Sequence, residues 1–408
     1  MHVLESFLTE EHLRLREEVR AFAEEVVAPR VAGLEASRSI ERELPREVAR
    51  RGWIGATIDT EHGGMGAGHL AKTIIVEELS RVCAAVGAAV QASQLGTAKI
   101  IRYGTEEQQR RWLPKIAAGE CLPTIAVTED GSGSHVLGMR ATARRDGDDY
   151  VLNGIKCFVG NSDIADVHGV VVRTGSGSRG LSAFLVEADA PGVTVSPHEP
   201  TLGLHGFSFG EVRFEDVRVP AHCRLGAEGD GRDIAYSSSI VYGRPNLSAV
   251  SLGVHQAILE ETVAYCHERQ LYGKPLYETD GIKHKVGQIQ SRLLTARLTA
   301  YYAASALDRE LLCDPELINA KYLNAESAID SARTAMEILA AAGLRTKRPL
   351  ERYLRDALHI FAPAGTSDIQ VLRLAEHALG LSKGQYSQPT YGPARGTAAL
   401  RPLQALPA

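Results

Sequence analysis

The chain changes its hydrophobic period twice, and this change limits the folds that it can adopt. From Glu10 to about Gly119, apolar residues recur at helical spacing. Between about Cys121 and Gly229 they stand in short runs of β-branched and aromatic residues, separated by Gly, Asp, Asn and Pro. Long Ala- and Leu-rich helical periods return after Gly231. Because one kind of element cannot bury both patterns, the chain must contain separate helical and β-rich parts.

We therefore predict an α+β multidomain fold. An N-terminal all-α domain covers residues 1–120, and a small β-barrel or β-sandwich domain covers residues 121–230. The periods that follow have the lengths of bundle helices, which predicts a C-terminal four-helix bundle over residues 231–384. Residues 385–408 are rich in Pro, Gly and Ala with weak periodicity, so we expect a flexible tail there.

Composition excludes several classes of protein. A formal net charge of -5 offers no basic excess for nucleic acid. The N-terminal stretch lacks the basic and apolar regions of a leader, and no run of about 18 apolar residues occurs. We expect a cytoplasmic protein without a membrane span. The six cysteines are scattered without a CxxC pair, which favours buried thiols over disulfides or a metal site.

Six strings of more specific sequence follow one another between residues 103 and 370. They are YGTEEQ at 103–108, VTEDGSGS at 127–134, NGIKCFVGN at 153–161, FEDVRVP at 214–220, RQLYGKPL at 269–276 and GTSDIQ at 365–370. Each string is weak alone, but all six in this order resemble the acyl-CoA dehydrogenase family. The resemblance implies that family's three-part fold, an FAD cofactor and an acyl thioester substrate on coenzyme A or an acyl carrier protein. It also implies a homo-oligomer, either tetramer or dimer, and electron-transfer flavoprotein or oxygen as electron acceptor.

The resemblance also implies which residues contact the cofactor. These residues are Val127, Thr128, Gly133, Ser134, Phe158, Val159, Gly160, Arg269, Tyr272, Glu337, Ala341, Thr366 and Asp368. In the family, the arginine that matches Arg269 contacts the FAD pyrophosphate of a neighbouring subunit. Three of these residues have a simpler alternative role. The Thr128 hydroxyl could serve its own backbone, Arg269 could pair with Glu261 or Glu268, and Thr366 could be a plain helix cap.

Two residues are implied in substrate binding, namely Ser134 and Arg244. Arg244 matches an arginine beside the family's base site and could instead be structural. A buried arginine without a partner is costly, so we expect a carboxylate, phosphate or carbonyl nearby, which the sequence does not identify.

The chain departs from the family where the catalytic base is expected. Dehydrogenation of an acyl thioester needs a group that takes the α-proton, and family members carry a glutamate at one of two positions. Here Ala364 and Gly243 occupy those positions. Loss of a general base typically costs about 100- to 10,000-fold in rate. The base is therefore unknown, and the candidate substitutes, each of which could also be structural, are His135, Asp130, Tyr242 and Asp368.

Two further departures lie near the implied flavin. Gly160 replaces a threonine, which removes a hydroxyl and is expected to open space beside the ring. Ala340 and Ala341 replace a diglycine that lets backbone approach the FAD phosphates, so two methyl groups need room.

These features, with the resemblance, predict an FAD-dependent oxidoreductase that acts on an acyl thioester with a non-standard base. A tailoring step in secondary metabolism is one role that fits this prediction. One alternative is a flavin-dependent monooxygenase on the same fold, suggested by Gly160 and the missing base. Another is a non-catalytic partner or a redox-neutral member, because a fold does not determine a function.

Overall fold

The structure, a computed structural model, describes residues 7–382 and 384–388. Helices occupy both ends of the chain, and strands occupy the middle. The helices are α1 (Glu10–Phe22), α2 (Ala28–Ser37), α3 (Glu43–Arg50), α4 (Gly68–Val82), α5 (Ala84–Tyr103), α6 (Glu106–Ala117), α7 (Gly231–Ser238), α8 (Arg244–Glu268), α9 (Asp280–Asp308), α10 (Asp314–Leu339), α11 (Leu350–Ile360) and α12 (Ser367–Ala378). The strands are β1 (Pro123–Ala126), β2 (Thr142–Asp146), β3 (Asp149–Gly160), β4 (Val167–Arg173), β5 (Leu181–Glu187), β6 (Val193–Val195), β7 (Phe209–Pro220), β8 (Arg224–Leu225), β9 (Gln270–Leu271) and β10 (Lys274–Pro275).

Helix α6 joins the N-terminal helices to the sheet, and its start explains the YGTEEQ string. The Thr105 hydroxyl accepts a hydrogen bond from Gln108 N, and the Gln108 side chain accepts one from Thr105 N. This reciprocal cap satisfies two donors that the first helical turn leaves free. Gln108 Nε2 also donates to the backbone oxygens of His222 and Arg224, at 2.7 and 3.0 Å. One side chain therefore both begins a helix and fixes it to the β-domain.

The central strands form one sheet in the order β6-β7-β3-β2-β4-β5-β8, with β1 parallel to β4. The long antiparallel pair β3 and β7 has an irregular register between Lys156 and Val159. There Phe158 adopts a φ of 55°, in the left-handed region that bulky residues avoid. Such a bulge re-aims side chains at the end of a strand. It leaves the Phe158 ring 59% exposed.

The C-terminal helices pack around the buried helix α8. Gly253 on α8 lets α4 approach closely, since a β-carbon there would lie 2.3 Å from the backbone oxygen of Glu77. The Glu77 carboxylate accepts hydrogen bonds from Arg297 at 2.8 Å and from the Tyr301 hydroxyl at 2.6 Å. The predicted α+β multidomain fold class is confirmed.

Residues 385–388, the first part of the predicted flexible tail, make hydrogen bonds to the helices. Backbone N–H groups of Tyr386 and Ser387 donate to the Asp314 carboxylate at 2.7 and 2.8 Å. Arg102 donates to the backbone oxygens of Tyr386 and Gln388, both at 2.9 Å. These partners lie far away in sequence, so composition does not report them. The rest of the predicted tail, residues 389–408, lies outside the described residues.

All six cysteines are free, five of them buried and Cys223 half-buried. Within the described part of the chain, no helix is long and apolar enough to cross a membrane.

Two buried histidines make the stability of the fold depend on pH. Burial lowers the pKa of His168 to about 4 and that of His255 to about 3. An unfolded histidine binds its proton near pH 6.5, so between these values the unfolded chain holds more protons than the folded one. The stability that neutral histidines contribute is therefore fully present above about pH 6.5 and is lost as the pH falls toward about 4.

Between pH 7 and pH 4.5, we expect the free energy of unfolding of the unaltered protein to fall by about 2–3 kcal/mol more than that of the His255→Leu variant. The variant lacks the histidine that takes up a proton on unfolding. Urea unfolding midpoints at the two pH values measure this difference. Asp356, whose pKa burial raises to about 6, acts in the opposite direction but is common to both proteins. Equal losses in the two proteins would contradict the prediction.

Candidate active site

The two positions where the family carries its base meet at one point. Gly243 ends the π-helical turn Ser239–Gly243 before α8, and Ala364 lies between α11 and α12. A β-carbon placed on Gly243 would lie 3.5 Å from the Ala364 β-carbon. The next nearest atoms are Leu95 Cδ1 and Ser239 Oγ, both at 3.8 Å. The nearest atoms at the base position are thus two aliphatic carbons and one hydroxyl, and none belongs to a carboxylate.

Buried side chains hold the loop that carries Ala364. Lys321 Nζ donates to the backbone oxygens of Phe361 and Gly365, at 2.5 and 2.9 Å. Gln370 Nε2 donates to the backbone oxygens of Ala364 and Gly365, at 3.0 and 2.8 Å. Burial, together with the nearby positive charge of Arg244, lowers the pKa of Lys321 to about 7. The position of Ala364 is therefore fixed by several hydrogen bonds.

The expected open space at Gly160 does not exist. A β-carbon on Gly160 would lie 3.0 Å from Phe207 Cζ and 3.1 Å from the Ala92 β-carbon. The ring of Phe207 fills the volume that the missing threonine side chain would leave. The expectation from sequence was wrong because Phe207 comes from a distant segment, before β7.

One face of α5 lies between Gly160, beside the implied flavin, and Gly243, at the base position. Ala92 touches the Gly160 position and Leu95 touches the Gly243 position. Residues three apart share a helix face, and their rise along the axis is about 4.5 Å. The end of β3 and the base position therefore flank a single turn of α5.

The residues at the end of β3 and in the adjoining loop fit a flavin. The exposed Phe158 ring lies 5.7 Å from the Phe209 ring and offers apolar area to a flat cofactor. Gly133 has nothing within 4 Å of where its β-carbon would stand, so backbone there is open to approach. The Thr366 hydroxyl makes no capping hydrogen bond at the start of α12, so it is not the plain cap that we considered. Thr128 and Val127 are half-buried beside β1.

Other implied cofactor residues are at the surface. Arg269 and Tyr272 lie at the exposed β9–β10 hairpin, where Tyr272 is 96% exposed. The ion pair considered for Arg269 does not form, since Arg348 pairs with Glu261 and Glu268 at 2.9 and 2.5 Å.

The remaining residues implied in cofactor binding also differ in exposure. Glu337 is exposed and pairs with Lys285 at 2.6 Å. Ser134 and Asp368 are also exposed, whereas Val159 is buried in β3. The structure thus brings Val127 and Thr128, just after β1, against the end of β3 through hydrogen bonds from Cys157 N and Lys156 Nζ to their backbone oxygens. It leaves the exposed residues away from this point.

Ala340 stands where the family has the first glycine of a diglycine, and its backbone is strained. Ala340 has φ 48° and ψ -132°, a conformation that glycine adopts readily and alanine does not. Both Ala340 and Ala341 are exposed, so their methyl groups have room.

We expect Ala340→Gly to stabilise the protein by about 1 kcal/mol, because relief of the strained backbone outweighs the added freedom of the unfolded chain. Chemical denaturation measures the change. The matched control is Ala342→Gly, two residues beyond the strained position and without positive φ, which is expected to destabilise. Destabilisation by both changes would contradict the strain argument.

The candidate substitute bases differ in burial. Asp130, His135 and Asp368 are exposed. Tyr242 is buried beside Gly243, and its hydroxyl donates to Thr57 Oγ1 at 3.1 Å. Burial raises the pKa of the Tyr242 phenol, which keeps it protonated near neutral pH.

Three residues of the site were missed by sequence reasoning. Ser239 reaches the base position, as described above, and its place one turn before Gly243 on a helix could have indicated this. Glu129 and Lys156 form a buried ion pair at 2.7 Å beneath the implied flavin loop. The Glu129 carboxylate also accepts from the backbone N–H groups of Arg140 and Ala141, at 2.6 and 3.0 Å. This pair fixes the loop to β3.

Arg244 is buried near the Asp314 carboxylate, whose charge favours the ionised arginine, without a salt bridge between them in the described residues. It is 4% exposed, and its Nε and Nη1 atoms have no hydrogen-bond partner within residues 7–382 and 384–388. Burial lowers its pKa to about 10.

Comparison with known proteins agrees with this arrangement. The chain matches the N-terminal domain of acyl-CoA dehydrogenase over residues 9–120, the middle domain over 124–217 and the C-terminal domain over 229–379. An acyl-CoA dehydrogenase of Bacillus subtilis is 35% identical over 383 residues, which cover 93% of this chain and 100% of that protein.

Two solved structures are also similar. The FAD complex of PigA is 27% identical with a TM-score of 0.87, covering 92% of this chain and 98% of that one. The prolyl acyl carrier protein oxidase AnaB is 27% identical with a TM-score of 0.86, covering 91% and 99%. The fold and the site define an FAD-dependent oxidoreductase. The chain belongs to the acyl-CoA dehydrogenase family.

Proposed function

We propose that the protein acts on an acyl thioester, carried by coenzyme A or an acyl carrier protein, whose α-proton does not need a carboxylate base at the usual positions. One observation carries this proposal. Gly243 and Ala364 meet at one point, and the nearest atoms to a Gly243 β-carbon belong to Ala364, Leu95 and Ser239. A substrate that is already acidified at the α-carbon, or that carries a substituent at the β-carbon, suits such a site.

Different residues of the chain bind the cofactor and surround the acyl group in this proposal. When bound, FAD supplies the acceptor for a hydride from the acyl group. Thr128, Phe158 and Val159 bind the ring, while Gly133 and Thr366 offer backbone and hydroxyl donors. The methyl of Ala364 and the side chain of Leu95 exclude water from the acyl group.

A tailoring step in secondary metabolism fits this chemistry. The prolyl acyl carrier protein oxidase described above acts on a carrier-bound aminoacyl group, as its name states, and supports a carrier protein as one source of the substrate. A monooxygenase is less well supported, because Phe207 fills the space that oxygen would need beside Gly160.

A homo-oligomer, either tetramer or dimer, completes the cofactor site. Leu294, Leu298 and Tyr302 on α9 are exposed at intervals of four residues and so form one apolar stripe. Such exposed stripes mark protein interfaces. Arg269 is exposed at its hairpin and has no ion pair in the described residues, which supports its proposed role of contacting the FAD of a neighbouring subunit.

The deciding experiment is the visible absorption spectrum of the purified protein without oxygen, before and after addition of a panel of acyl thioesters. Bleaching of the flavin band by one thioester supports the proposal, and reoxidation by electron-transfer flavoprotein or by oxygen then identifies the acceptor. A flavin band that no thioester bleaches favours redox-neutral chemistry. Absence of bound flavin favours a non-catalytic partner.

A further inference from the structure

Two buried amide side chains lie one helical turn from the base position. Leu95 on α5 faces Gly243, as described above, and Gln91 stands one turn earlier on the same face of α5. Asn246 stands one turn beyond Gly243 on α8, and its Nδ2 donates to the backbone oxygen of Gln91 at 3.3 Å. The contact between Asn246 and Gln91 therefore lies about 4.5 Å along α8 from the contact between Gly243 and Leu95.

The hydrogen bonds around Asn246 fix the orientation of its amide. Gln94 Nε2 donates to the backbone oxygen of Trp53 at 3.1 Å, so the other end of the Gln94 amide is an acceptor. Asn246 Nδ2 meets this Gln94 Oε1 and the Gln91 backbone oxygen, both at 3.3 Å. Because both neighbours are acceptors, only the NH2 group of Asn246 can face them. Its Oδ1 atom must therefore point to the opposite side.

The oxygen that Asn246 turns away from these neighbours lacks a hydrogen-bond donor. Within residues 7–382 and 384–388, neither Asn246 Oδ1 nor Gln91 Oε1 has a partner. Asn246 is fully buried and Gln91 is 7% exposed. A buried acceptor without a donor costs free energy, and a ligand that supplies the donor recovers that cost. Two such oxygens one turn from the base position indicate a ligand that donates a hydrogen bond there.

The missing donor is a neutral group. Both amide oxygens are uncharged, whereas a buried ammonium needs an anion beside it. The atoms nearest to a Gly243 β-carbon belong to Ala364, Leu95 and Ser239, and none of them is part of a carboxylate. A carboxylate on the ligand would offer no hydrogen to an amide oxygen. A hydroxyl meets both conditions, because it donates a hydrogen bond and carries no charge.

We propose that Asn246 Oδ1 accepts a hydrogen bond from a hydroxyl group on the acyl chain of the substrate. The substrate class is therefore a hydroxyacyl thioester. One helical turn from the base position, about 4.5 Å, corresponds to a hydroxyl on the β- or γ-carbon, two or three bonds beyond the α-carbon. This inference rests on the proposed acyl-thioester function.

Pairs of coenzyme A thioesters with matched shapes test the proposal. Each enantiomer of 3-hydroxybutyryl-CoA is compared with 3-methylbutyryl-CoA, and 4-hydroxybutyryl-CoA is compared with pentanoyl-CoA. In each pair a hydroxyl replaces a methyl group, and titration calorimetry on the full FAD-loaded protein without oxygen gives the dissociation constants. A hydroxyl loses its hydrogen bonds to water on burial, so an apolar site prefers the methyl compound. We expect a hydroxyl compound of at least one pair to bind at least about fivefold more tightly instead.

The Asn246→Leu variant removes the acceptor and nearly keeps the size of the side chain. It should reverse the preference toward the methyl compound. The matched control is Ser248→Ala. Ser248 is also buried on α8, and its hydroxyl donates to the backbone oxygen of Ala320 on α10 at 3.2 Å. This control should keep the preference, which separates loss of the Asn246 acceptor from a general disturbance of α8.

The outcomes separate this inference from the proposed function. Binding of the thioesters with equal or weaker affinity for every hydroxyl compound overturns the hydroxyl site and leaves an acyl-thioester function standing. Binding of none of these acyl groups, on coenzyme A or on an acyl carrier protein, overturns both. A folded Asn246→Leu variant that keeps the preference, or a Ser248→Ala variant that loses it, overturns the assignment to Asn246. If Asn246→Leu does not fold, Asn246→Ala decides in the same way.

Discussion

The Ala364→Glu variant is expected to reduce its flavin with a saturated acyl-CoA at least about 100-fold faster than the unaltered protein, because a positioned general base contributes about 100- to 10,000-fold. The loop that carries residue 364 is held by Lys321 and Gln370 through the backbone, so a new side chain does not disturb these hydrogen bonds. Gly243 opposite it carries no side chain and leaves room for the carboxylate. Stopped-flow measurement of flavin bleaching without oxygen gives the rate.

The control is Ala364→Gln, because a glutamine side chain has nearly the same shape as a glutamate but takes no proton at neutral pH. It should show no gain. Gly243→Glu is an independent test, since its β-carbon would stand 3.5 Å from that of Ala364 and direct a carboxylate to the same place. Failure of both glutamate variants to accelerate bleaching, in proteins that retain flavin, would mean that the acyl group does not pass this point.

The Lys156→Met variant is expected to lose about 3–5 kcal/mol of stability, the typical effect of removing one partner from a buried ion pair. Lys156 is fully buried, and its loss leaves the Glu129 carboxylate without its cation. The loop between β1 and β2 is held by this carboxylate through Arg140 N and Ala141 N, so FAD affinity should fall as well. Urea unfolding and the flavin released on dilution measure the two effects.

The double variant Lys156→Met with Glu129→Gln provides the matched control. It removes the uncompensated charge and keeps an acceptor oxygen for one of the two backbone N–H groups. We expect it to be more stable than Lys156→Met alone. A single variant as stable as the unaltered protein would show that the pair contributes nothing to the loop.

The order of the three parts and several local elements follow from the sequence alone. Hydrophobic period and capping residues act over a few neighbouring positions, so the cap of Thr105 and Gln108 and the strand runs of the β-domain could be predicted. The absence of a usual base is also a property of the sequence. Neither Ala364 nor Gly243 carries a carboxylate in any conformation.

The contacts that shape the site were decided by the tertiary structure. The packing of Phe207 against Gly160, the hydrogen bonds from Tyr386 and Ser387 to Asp314 and the burial of Arg244 each depend on segments that lie far apart in the chain. Period and composition describe how a residue meets water and its near neighbours, but they do not report which distant side chain fills a given volume. Close packing makes that choice, because each buried atom must fit the atoms brought against it by the whole fold.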